Sequence, residues 1–140
     1  GLDIGVYFFS QAVTQEEAIE EAQLVLDNIK EYEILYPIAY DMEFIENDTA
    51  RVETLTRDER TTVAAAFLNH INNAGYTPML YGDTEWLVKR IDVQGSDICS
   101  CRPGTLLAVH FQRRHNHRHE GRDECSQSYV PDSIRPLQFS

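Results

Sequence analysis

Three short apolar runs, separated by stretches of helical period, do most to limit what this chain can fold into: residues 5–10 (GVYFFS), 36–44 (YPIAYDMEF) and 77–81 (TPMLY). Their β-branched and aromatic side chains suit buried strands. Thr14 with Glu17, and Thr56 with Glu59, have the T-x-x-E spacing of a capping box, in which two helix-start amides are satisfied reciprocally. The first box predicts a helix over 15–30. Ala18, Ala22, Val25, Leu26 and Ile29 form its inward stripe, and Glu16, Glu17, Glu20, Glu21 and Asp27 form a solvated face. After a polar loop over 46–55, the second box predicts a helix carrying Val63, Ala64, Phe67, Leu68 and Ile71. That helix should stop at Asn73-Ala74-Gly75, where Gly75 can take the left-handed conformation, and His70 in the last turn reads as a cation suited to the helix dipole. Residues 84–91 (TEWLVKRI) predict a further short amphipathic helix. Such alternation builds an α/β fold with a parallel sheet and helices outside it.

In folds of this kind the working residues gather at the carboxyl ends of the strands. Tyr7, Phe9, Asp41, Glu43 and Tyr81 occupy those ends. Asp41 and Glu43 stand two apart, so in a strand they face the same way with Met42 opposite, their backbones separated by roughly 6.5 Å. Two carboxyl groups so placed can flank one scissile bond, one protonated and the other ionised, with both open to a glycan. A solvated strand end or a metal-binding pair would present the same residues.

At 140 residues the chain has the size of one domain, and its formal net charge of −11 argues against a general affinity for nucleic acid. No apolar run approaches the roughly 20 residues that span a bilayer, and no basic-then-apolar leader opens the chain, so it reads as soluble without an export signal. Charge is unevenly spread: residues 1–95 hold 18 acids and 6 bases, net −12, whereas 96–140 hold 5 acids and 6 bases, net +1. Two units are therefore expected, one over 1–95 and a divergent, poorly ordered tail over 96–140.

The blocks GVYFFSQAVTQEEAIEEA, YPIAYDMEF and AGYTPMLYGDTEWL, in this order, make residues 5–93 resemble the middle of a glycoside hydrolase family 25 lysozyme of the Chalaropsis or phage-endolysin type. The resemblance implies a partial, irregular (β/α) TIM-like barrel and cleavage of the β-1,4 bond between N-acetylmuramic acid and N-acetylglucosamine in peptidoglycan. Carried over by motif, Glu43 is the proton donor to the leaving sugar oxygen, and Asp41 stabilises developing positive charge or orients the substrate N-acetyl group. Tyr7, Phe9 and Tyr81 are the candidate groove residues, while Trp86 is expected to pack rather than touch substrate. Glycan strands are the implied partner, with no metal, cofactor, membrane or nucleic acid, and the implied location is secreted or wall-directed. A noncatalytic remnant that binds peptidoglycan is the alternative.

Two departures from the family pattern stand out. The family's first strand, which supplies another aspartate, would lie upstream of Gly1. Its next strand should read near D-x-W-L-A-Q, but this chain reads Asp97-Ile98-Cys99-Ser100-Cys101-Arg102-Pro103. Plausible codons for Cys99 to Pro103, with one G restored, encode Trp-Leu-Met-Gln-Ala, so the residues from about Cys99 onward are expected to be out of frame with the ancestral gene. The coding DNA decides this: neighbouring frames should encode family-like strands, and their absence would refute the expectation. Cys99, Cys101, Cys125, His115, His117 and His119 are ligand types that zinc accepts, which keeps a metal-dependent interaction domain as a third reading. Their spacing lacks the pairs of a zinc finger, and the basic stretch 112–122 offers at most a weak polyanion contact.

Overall fold

The computed structural model describes residues 3–43 and 51–93, together with the backbone of 106–110. The chain is a mixed α/β structure built on a small parallel sheet. Strands β1 (Val6–Phe9), β2 (Ile38–Asp41), β3 (Pro78–Asp83) and β4 (Leu106–His110) pair in the order β1-β2-β3-β4, every neighbour parallel. Helix α1 (Gln15–Ile29) links β1 to β2, and α2 (Arg57–Asn73) links β2 to β3. The two helices pack on one another against the same face of the sheet. Strand β4 falls within the stretch that composition assigned to the tail, and it extends the sheet beyond β3.

Both helices start where the sequence indicates, but their first turns differ. At α2 the box is complete: the Thr56 hydroxyl accepts from the Glu59 amide, and the Glu59 carboxylate accepts from the Thr56 amide at 2.8 Å. At α1 the Thr14 hydroxyl accepts from the Glu17 amide, yet Glu17 turns past its cap to accept from the Val13 amide at 2.9 Å and to meet Arg51. Glu17 thereby ties the start of α1 to the short 3-10 turn Arg51–Thr54, rather than facing only solvent. Gly75, with φ +93, closes α2 as expected. His70 is not isolated at that end, because its Nε2 lies 3.1 Å from the Gln23 side-chain oxygen across the helix pair.

Residues 84–91 do not form an ordinary amphipathic helix. Trp86–Arg90 is a π-helical turn closed by the Ile91 amide donating to the Trp86 carbonyl, an i→i+5 bond. The wider turn sets Trp86, Leu87 and Ile91 on one side, where all three are buried. The Asp83 carboxylate accepts from the Trp86 amide at 2.8 Å and fixes the entry to the turn. Trp86 packs in the core, as expected, with the Arg60 guanidinium 5.3 Å from its ring centre. Arg60 is itself buried and donates to the carbonyls of Val52 and Glu53, which holds the segment returning from the end of β2 against α2.

Strand alternation divides the sheet cleanly. Ile38, Tyr40, Leu80 and Phe8 face the helices, where Phe67 stacks on Phe8 and meets Tyr40 with ring centres 4.6 Å apart. Tyr7, Phe9, Ala39, Asp41, Met79 and Tyr81 belong to the other set. No helix among the described residues covers that second face, and none is long and apolar enough to cross a membrane. At the amino end of the sheet, a Cβ added to Gly5 would stand 2.9 Å from the Tyr36 Cβ, so β1 and β2 converge there because residue 5 has no side chain.

Candidate active site

The face of the sheet that no described helix covers carries the residues singled out from sequence. Parallel register places Phe9, Asp41 and Tyr81 in one row across β1, β2 and β3, with Tyr7, Ala39 and Met79 in the row below. Ala39 is small, and the rings of Tyr7 and Tyr81 meet in front of β2, edge to face, with centres 5.7 Å apart. The Tyr7 hydroxyl donates to Asp41 Oδ2. Glu43 follows two residues beyond, past the end of β2, and is half-buried. Its charge and that of Asp41 both act on the hydroxyls of Tyr7 and Tyr81, so the two acids and two tyrosines form one electrostatic cluster. Four of the five residues singled out from sequence are therefore brought together. The fifth, Phe9, stands beside Asp41 in register and is half-buried.

One expectation needs correction. Both carboxylates were expected to be open to a glycan, but Asp41 is 1% exposed, whereas Tyr7 is 58% exposed. The reason is local: Asp41 lies between Phe9 and Tyr81 in its row, with the Tyr7 hydroxyl directed onto it. Asp41 thus acts on this face as a buried charge beneath a tyrosine, while Glu43 is the carboxylate nearer solvent. Met42 is buried in the core on the helix side, as strand alternation requires.

The protons of three tyrosines are held above their ordinary range. For Tyr7 the causes are burial of its hydroxyl, then the hydrogen bond to Asp41, then the charges of Asp41 and Glu43. Burial followed by the two carboxylates acts in the same direction on Tyr81. Tyr7 and Tyr81 consequently remain neutral hydrogen-bond donors across the physiological range. Tyr40, on the opposite face, is raised mainly by burial and eased by neighbouring Ser10, although no hydrogen bond of good geometry reaches its hydroxyl among the described residues.

These shifts predict alkaline behaviour. Unfolded tyrosines ionise near pH ~10 and the folded ones above it, so their contribution is fully present below that value and is lost as pH rises further. Tyr40→Phe removes one such group together with a buried hydroxyl that lacks a good partner. Urea unfolding at pH 7 should give a stability within about 1 kcal/mol of the parent, and a series to pH 11 should show a shallower decline. A steeper decline would contradict the assignment.

Cys99, Cys101, Cys125, His115, His117 and His119 lie outside the described residues, as do Phe44 and the stretch 112–122. Sequence reasoning also missed Glu21, Asp83 and Arg60, whose carboxylates and guanidinium hold turns at the carboxyl ends of β1, β3 and β2. A signal was available for Asp83, which stands three residues before the amide it caps, as an Asx cap does. Neither a search of curated proteins nor one of solved structures returned a match to the chain. The model of glycosyl hydrolases family 25 matches residues 1–99, well over half of the sequence. With two carboxylates and two tyrosines gathered at the carboxyl end of its central strand, the chain belongs to glycosyl hydrolases family 25, the lysozyme-type glycoside hydrolases.

Proposed function

We propose that the chain cleaves the β-1,4 bond between N-acetylmuramic acid and N-acetylglucosamine in peptidoglycan, acting at bacterial walls outside the cell that makes it. The observation that carries this reading is the convergence of Asp41, Glu43, Tyr7 and Tyr81 on the uncovered face of the sheet in a family 25 chain. Glu43, the more accessible acid, gives its proton to the leaving sugar oxygen. Asp41, buried beneath Tyr7 with Oδ2 accepting from its hydroxyl, is the carboxylate placed to stabilise the positive charge that develops on the sugar ring. Tyr7 has a double duty: its hydroxyl fixes one oxygen of Asp41, and its exposed ring offers an apolar surface to a sugar face.

The sheet order supports a barrel-like arrangement. Strands run β1-β2-β3-β4 without reversal, with α1 and α2 on one side, which is the winding of a (β/α) barrel rather than of a doubly wound sheet with a switch point. In a barrel the uncovered face would be the interior, and the carboxyl ends of the strands would open on the groove.

The test is release of reducing ends from purified peptidoglycan, together with clearing of a suspension of bacterial walls. New reducing termini on N-acetylmuramic acid support the assignment. Reducing termini on N-acetylglucosamine, or muropeptide binding without any product, would overturn it, the latter in favour of a sugar-binding module.

A further inference from the structure

Beneath the acid pair, on the helix side of the sheet, lies a polar node that the proposed chemistry does not use. Ser10 is fully buried and follows β1 directly. Its hydroxyl donates to Glu21 Oε2 at 2.6 Å and accepts from the Ala12 amide at 3.2 Å. The second Glu21 oxygen accepts from the Gln11 amide at 2.9 Å. One carboxylate on the second turn of α1 therefore clasps two consecutive residues of the turn leaving β1. The clasped turn reaches the site through the backbone, because the Ser10 amide donates to the Asp41 carbonyl at 2.8 Å. That bond carries the β1–β2 ladder past β1, to the residue from which the buried carboxylate projects and two positions before Glu43.

We infer that Glu21 is a positioning residue, which acts through Ser10 to fix the end of β2 and hence the placement of Asp41 and Glu43. The inference rests on the glycosidase reading for its effect on rate, but its structural part stands apart from that reading. A charge-assisted hydrogen bond is roughly twice as strong as a neutral one, so an ionised Glu21 holds the turn more firmly than a solvent-facing residue could. Without it, the Ser10–Gln11 end of the turn keeps, apart from its bond to β2, only the Gln11 side chain on the Ser10 carbonyl and the Ser10 hydroxyl on the Ala12 amide, while the next contact to α1, the Val13 amide on Glu17, lies two residues further from β1. The end of β2 would then move with the turn. A misplacement of about 1 Å at reacting groups can cost about a hundredfold in rate.

The experiment compares the full chain with Glu21→Ala, Glu21→Gln, Ser10→Ala and a control, Glu20→Ala, on the exposed side of the same helix. Three quantities are read: kcat and KM on a soluble alternating glycan of N-acetylglucosamine and N-acetylmuramic acid, the melting temperature, and the carboxyl carbon resonance of Asp41 in carbon-13 labelled protein. Glu21→Ala should lower kcat roughly ten- to a hundredfold with KM changed less than about twofold. Glu21→Gln should recover much of this, since its amide oxygen still accepts from the turn. The Asp41 resonance should move in Glu21→Ala and Ser10→Ala but not in Glu20→Ala. A resonance that stays in place in both overturns the inference, whatever happens to rate or melting temperature. If Glu21→Ala does not fold, the Ser10→Ala resonance decides on the same terms. If the unsubstituted chain hydrolyses no glycan but the resonance still moves, the glycosidase reading fails and the positioning role of Glu21 survives it.

Discussion

Glu43→Gln is expected to lower kcat on peptidoglycan glycans by roughly 10²–10⁴, the range that a positioned proton donor contributes. The substitution keeps the size and planarity of the side chain and removes the transferable proton, so ground-state contacts survive and KM should change little. A parallel fall in kcat and kcat/KM at constant KM is the signature of an interaction made in the transition state alone. Asp41→Asn provides the internal contrast. It removes a buried charge and leaves an amide beneath Tyr7, so the charge and the hydrogen bond that hold the Tyr7 proton both weaken. Tyr7 should then titrate at a lower pH, which tyrosine absorbance near 295 nm would follow in the variant against the parent. In Glu43→Gln the Tyr7–Asp41 bond persists, and the change in titration should be smaller. Initial rates of reducing-end release from soluble glycan are the measurement for Glu43; retention of more than about a tenth of the parent kcat would remove it from the donor role.

The parts of this site that were legible in the sequence are those fixed by local periodicity. Two-residue alternation in β2 put Asp41 on one face and Met42 on the other, and the structure has the carboxylate beside Tyr81 with Met42 in the core. Gly75 and the complete box at Thr56 were readable because each depends on neighbours within a turn. Glu17 and Glu21 were not, because their partners lie across the fold or across a turn of unspecified shape. A carboxylate on a polar helix face looks the same in sequence whether it meets solvent, Arg51 or the Ser10 hydroxyl. Burial of Asp41 was hidden for a similar reason: it depends on the Tyr7 ring crossing from β1, which Ala39 permits by being small. The π-turn at Trp86 reflects competition that a helical wheel does not represent, between regular i→i+4 bonding and burial of Trp86, Leu87 and Ile91 together.

Phe67→Ala carries the largest expected effect on stability, about 3–5 kcal/mol by the behaviour of buried aromatic truncations. Phe67 is wholly buried, and its ring lies 5.7 Å from Phe8 at 24° and 4.6 Å from Tyr40 at 41°. It thus fastens α2 to β1 and β2, the two strands that carry Tyr7 and Asp41 on their opposite face. Most domains have ~5–15 kcal/mol of stability, so this one truncation would remove a large share of it. Urea unfolding should show a lower midpoint with an unchanged slope, since the surface exposed on unfolding is nearly the same. Phe67→Leu, which refills much of the space, should cost distinctly less. Truncation should also disturb the site from behind: when Tyr40 settles into the cavity, Asp41 must shift because the two residues are adjacent on one strand. The carboxyl resonance of Asp41 should then move in Phe67→Ala under conditions where the variant remains folded. A loss below about 1 kcal/mol with no movement of that resonance would mean that α2 does not hold the site-bearing strands.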